Sequence, residues 1–92
     1  MAKDRRYITV KNLISAGYIK AFREIFDTLP KSVLAKDMGF SNTRMTELMD
    51  NVHRFRMEEI FKIAALIEVD EKVMVDLIYN QYAADKKVKR RK

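Results

Sequence analysis

The chain predicts an all-α domain, a compact bundle of five or six helices. Three observations carry that expectation. Turn formers are scarce, with one proline, Pro30, and two glycines, Gly17 and Gly39, among 92 residues. Leucine, methionine, lysine and glutamate are frequent, which favours helices over a hairpin-rich sheet. Apolar residues also recur at three- and four-residue spacing through much of the chain.

The elements follow in order. Val10, Leu13, Ile14 and Gly17 keep the helical spacing and predict a short first helix ending near Gly17, a suitable C-terminal cap. Ala21, Phe22, Ile25, Phe26 and Leu29 predict a second helix that must stop before Pro30. Pro30 then opens a third helix, where its missing amide proton costs nothing. That helix carries Leu34, Ala35 and Met38 and stops at Gly39. Ser41 is an N-cap for a helix over 42–50. After a loop, MEEIFKIAALIEV opens with Glu58 and Glu59, which suit the positive end of a helix. Its later part is apolar nearly all round, as in a central buried helix. Asp70 caps a last helix, EKVMVDLIYNQY.

Composition narrows the function. A chain of this length fits one small domain, residues 1–84, followed by a basic tail over 85–92 expected to be disordered. There is no cysteine, so disulfides, thiolate zinc sites and thiol catalysis are excluded. The longest apolar run is IAALI, Ile63 to Ile67, far short of the roughly 20 residues that cross a membrane. No signal-peptide core follows the charged start MAKDRRY, and a cytoplasmic location is expected. The net charge of +6 is uneven. DKKVKRRK, from Asp85 onward, holds six basic residues and one acidic, whereas residues 1–84 hold 13 basic and 12 acidic. Most of the basic signal is therefore a tail, read as a solvated end or as electrostatic support for binding DNA, with nuclear import a formal alternative that nothing else in the sequence supports. Lys3, Arg5 and Arg6 form a weaker basic arm at the other end.

Residues 31–50 read as two helices meeting at a sharp turn. Leu34, Ala35 and Met38 share a face of the first, and the small Ala35 lets the second cross closely. Gly39 supplies the positive φ of the reversal, Phe40 fills the space beneath it, and Met45 and Leu48 face the same core. From Leu34 to about Leu77 the chain resembles the lambda-repressor and Cro-like helix-turn-helix domains. LAKDMGFS is similar to that family's leucine-alanine helix, glycine and serine cap; NTRMTELMDN falls on its recognition helix, and MEEIFKIAALIEV on the helix that follows. Lys31 stands where the family often has glutamine, Met49 where glutamate is common, Asn51 for a usual glycine, and Phe55 for a customary proline. The resemblance implies a DNA-binding, repressor-like regulator of transcription that acts as a dimer on a two-fold operator.

A helical wheel puts Met45, Leu48 and Met49 on the inner side of 42–50. Asn42, Thr43, Arg44, Thr46 and Glu47 are left as candidate base contacts in the N-terminal half of that helix. Asn42 suits adenine, Arg44 guanine or a phosphate, a threonine methyl thymine, and Glu47 a cytosine amino group. Lys31, Ser41, His53, Arg54 and Arg56 are candidate phosphate contacts, which orient without reading sequence. On the last helix Val73, Met74 and Leu77 define one side, and Val75, Tyr79 and Tyr82 the other. That second stripe either packs on the helix of Val10, Leu13 and Ile14 or meets a second copy.

No nucleophile, base and orienting group can be assembled, and there is no phosphate-binding glycine loop, so an enzyme is not expected. Neither a cofactor nor a small-molecule substrate is expected, and His53 has no second ligand with which to hold a metal. Sequence-specific binding of double-stranded DNA is the leading reading. The alternative is a non-enzymatic protein-interaction module on the same scaffold, suggested by the nearly neutral body, by Glu47 and Asp50 on the outer helix, and by the tyrosine stripe.

Overall fold

Pro30 and Gly39 bracket the second α-helix as their chemistry requires. A computed structural model describes the backbone of residues 4–90 and the side chains of residues 4–86. The described chain is a compact all-α bundle: α1 (Arg6–Ser15), a 3₁₀ helix (Phe22–Asp27), α2 (Lys31–Met38), α3 (Asn42–Asp50), a short 3₁₀ helix (Val52–Arg54), α4 (Met57–Ile67) and α5 (Glu71–Arg90). Gly17 follows α1 with φ +84°, and Gly39 ends α2 with φ +77°. A Cβ on Gly39 would meet nothing within 4 Å, so only the backbone resists substitution there. Gly39→Ala is therefore expected to cost about 1 kcal/mol, read as a lower urea midpoint with an unchanged slope. A loss above about 3 kcal/mol would show that packing, not conformation, selects the glycine.

The core runs through every element. Leu34, Ala35 and Met38 of α2 close over Met45 and Leu48 of α3, while Ile60, Ile63, Ala64 and Ile67 make α4 the central helix. α4 packs against α1, α2 and α5. Phe40 and Met49 are half-buried at the edge of this core, as the turn geometry demands.

Three expectations are corrected. The Phe22 segment is a 3₁₀ helix and not an α-helix. Its start is fixed by Glu24, whose carboxylate accepts from the backbone N–H of Lys20 (2.6 Å) and Ala21 (3.0 Å), and the nearby Pro30 leaves no room to propagate. α5 mainly packs against α4 and the two 3₁₀ helices, and α1 is covered by α4 instead. Its inner face is Met74, Leu77, Ile78 and Gln81, with Val75 half-buried beside it. Finally, α5 continues through Asp85 to Arg90, the described part of the segment expected to be a tail. Alanines 83 and 84 favour helix, and Gln81 Nε2 donates to Asp85 one turn on at 2.9 Å. Arg91 and Lys92, and Lys3 of the N-terminal arm, lie outside the described residues.

Gln81 is the one buried polar side chain among the described residues, only 6% exposed. Its Oε1 accepts from the backbone N–H of Arg23 at 3.2 Å, which joins α5 to the first 3₁₀ helix. Asn80 Nδ2 donates to the Lys20 carbonyl at 2.8 Å, a second tie along the same seam.

Candidate nucleic-acid interface

α3 begins where Ser41 can cap it. The Ser41 Oγ accepts from the Arg44 N–H at 3.1 Å, which satisfies one of the free donors of the first turn. That hydroxyl thus serves the helix, although Ser41 remains exposed. With Met45 and Leu48 turned inward, Asn42, Thr43, Arg44 and Glu47 are all exposed, whereas Thr46 is half-buried. The outer flank of α3 is therefore free of the protein's own chain at Thr43 and Glu47.

Two of the candidate contacts meet each other. Lys31 Nζ, at the start of α2, donates to Thr46 Oγ1 at 2.7 Å, which ties the two helices of the turn together at the surface. Asp50, at the far end of α3, lies 3.7 Å from the Arg23 guanidinium, a loose exposed pair that contributes little to stability.

Arg44 is held on two sides. Its Nη2 donates to Glu59 Oε2 at 3.0 Å, and its guanidinium carbon lies 4.9 Å from the centroid of the Phe40 ring. Glu59 is itself anchored, since its Oε1 accepts from the Arg56 N–H at 2.9 Å and so caps α4. Burial pushes the Glu59 carboxyl upward, but the Arg56 N–H and the Arg44 guanidinium outweigh it and leave the group below its ordinary 4.5.

The turn between α3 and α4 presents the remaining cations. Val52 and Phe55 are buried and pin this turn to the core, so His53, Arg54 and Arg56 are thrown outward. Arg54 and Arg56 have no side-chain hydrogen bond or ion pair among the described residues. The His53 ring lies 5.7 Å from that of Tyr82, and Lys86 stands 5.9 Å over the other end of this contact. A groove of about 320 Å³ separates Asp50 and Asn51 from Tyr82 and Lys86, so α5 runs beside the C-terminal end of α3 there. Of the residues on the outer stripe of α5, Tyr79 is 64% exposed and Tyr82 37%.

Glu59 is more than the helix-end charge that the sequence predicts, because it also pairs with Arg44. No local signal links two residues 15 apart on different helices. Among the described residues, no group of three or more acidic, histidine or cysteine side chains is placed to hold a metal ion. No described helix is long and apolar enough to cross a membrane. Comparison with family models, with curated proteins and with solved structures gives no match for this chain.

Proposed function

We propose that the protein binds double-stranded DNA in a sequence-specific manner, as a regulator of transcription that inserts α3 into the major groove. The observation that carries this reading is the outward flank of α3, with Asn42, Thr43, Arg44 and Glu47 exposed above a buried Met45–Leu48 face. Exposed cations precede and follow it, Lys31 at the start of α2 and Arg54 and Arg56 in the turn after α3, and these suit phosphate contacts. Tyr79 and Tyr82 are the surface for a second copy.

A selection from random duplexes with the purified chain, at near-physiological salt, tests this reading. Binding is expected to weaken steeply as salt rises. Thr43→Ala and Glu47→Gln are expected to change the selected bases, whereas Lys31→Ala and Arg54→Ala weaken all duplexes alike and lower the salt slope by about 1 each. Identical behaviour of the two classes would remove the assigned roles. Sedimentation of the same samples, free and with duplex, reads the dimer; one chain per site under both conditions would remove it.

A second reading is a protein-interaction module on this scaffold. It is favoured by the exposed carboxylates of Glu47 and Asp50 and by the compensation of Arg44 by Glu59. Absence of salt-dependent duplex binding would select it.

A further inference from the structure

We infer that Glu59 and Phe40 are positioning residues that make Arg44 a reader of guanine and not a general phosphate anchor, an inference that rests on the reading of α3 as the DNA-binding helix. The restraints on Arg44 act in different directions. The Phe40 ring, half-buried against the core, presents its π surface to the guanidinium 4.9 Å away. The Glu59 carboxylate, 3.0 Å from Nη2, fixes the rotation of the fork. That carboxylate cannot swing freely, because its other oxygen is held by the Arg56 N–H. The Arg44 side chain nevertheless stays 46% exposed, with its remaining N–H donors uncommitted.

Such an arrangement suits one class of ligand. A phosphate is served by a mobile point charge, and a neighbouring carboxylate only weakens the attraction. Guanine offers two acceptors, O6 and N7, in one plane, and a fork already locked in orientation loses little freedom on meeting them. Glu59 also repels phosphate at this point, so it lowers affinity for DNA in general while favouring the matched base. The pairing of an arginine with an anchored acid on the neighbouring helix is thus a device for selectivity.

The test compares wild type, Glu59→Gln, Phe40→Leu and Arg44→Lys in selection from random duplexes and in binding to an unrelated duplex. Glutamine can still accept from the Arg56 N–H, so the cap of α4 is retained, and unchanged thermal midpoints confirm folding. Wild type is expected to select guanine at one position of each half-site. Glu59→Gln and Arg44→Lys are expected to reduce that preference about tenfold, with other positions unaffected. Phe40→Leu is expected to reduce it in the same direction, and Glu59→Gln to tighten binding to the unrelated duplex. Equal tightening of every duplex by Glu59→Gln, with the guanine preference intact, would overturn the inference while leaving DNA binding standing. Wild type that binds no duplex would overturn both. Without DNA, nitrogen NMR of the Arg44 guanidinium is expected to show separate Nη signals in wild type and merged ones in Glu59→Gln; merged signals in wild type would also overturn it.

Discussion

Phe22→Ala is expected to lower stability by about 3–5 kcal/mol. The ring is fully buried and sits edge-on between two others, with centroids 5.3 Å from both Phe26 and Phe55 and interplanar angles of 80° and 78°. Truncation removes the transfer energy of a large side chain, leaves a void, and breaks both aromatic pairs. A domain of 92 residues has about 5–14 kcal/mol in total, so a large fraction is lost. A urea midpoint lower by about 2 M is the expected reading. Tyr18→Ala, at a site 75% exposed, serves as the control and is expected to stay within about 0.5 kcal/mol of wild type. The consequence reaches the candidate interface, because Phe55 is what holds the turn bearing His53, Arg54 and Arg56 against the core. A loss below about 1 kcal/mol would mean that the neighbouring rings close the void.

Tyr7→Phe is expected to cost about 1–2 kcal/mol at neutral pH and to change how stability responds to alkali. Tyr7 is 2% exposed on α1, and its hydroxyl donates to Asp37 Oδ2 of α2 at 2.5 Å. Phenylalanine keeps the buried ring, so the difference reports the hydroxyl. Asp37 is exposed and regains water in the variant, which places the cost at the lower end for a bond to a charged acceptor. Burial first, and then the bond to Asp37, raise the Tyr7 phenol above its ordinary 10.0. The folded state therefore holds this proton more tightly than the unfolded state. The resulting stability is complete below pH 10.0 and declines as pH rises above it towards the folded value. Urea midpoints at about pH 8 and about pH 11 are expected to show wild type losing roughly 1 kcal/mol of its advantage over Tyr7→Phe. A constant difference would show that the phenol is not held above its ordinary value in the folded state.

The limits of α2 and α3 were legible in the sequence because they are set by single residues acting locally. Pro30 fixes a start, Gly39 adopts the left-handed backbone, and Ser41 caps the next turn. The inner and outer sides of α3 followed from periodicity alone, with Met45 and Leu48 buried and Thr43 and Glu47 exposed. The nature of the Phe22 segment was not legible, since over six residues the α and 3₁₀ periods differ too little to separate. The continuation of α5 through Asp85–Arg90 was hidden for another reason: a run of lysines and arginines shows no apolar stripe, yet lysine and arginine are good helix formers. The ties of Tyr7 to Asp37 and of Arg44 to Glu59 join residues 30 and 15 apart, and depend on how the helices cross.

Gln81 carries a consequence for everything beyond it. A helix clad only in aliphatic side chains can creep along its neighbours at small cost, but a slide of one residue here would swing this amide about 100° away and strand it without its mate. The bearing along which α5 leaves the bundle is thus dictated by the bond to Arg23. The turns beyond Gln81 inherit that heading from a contact made inside the bundle.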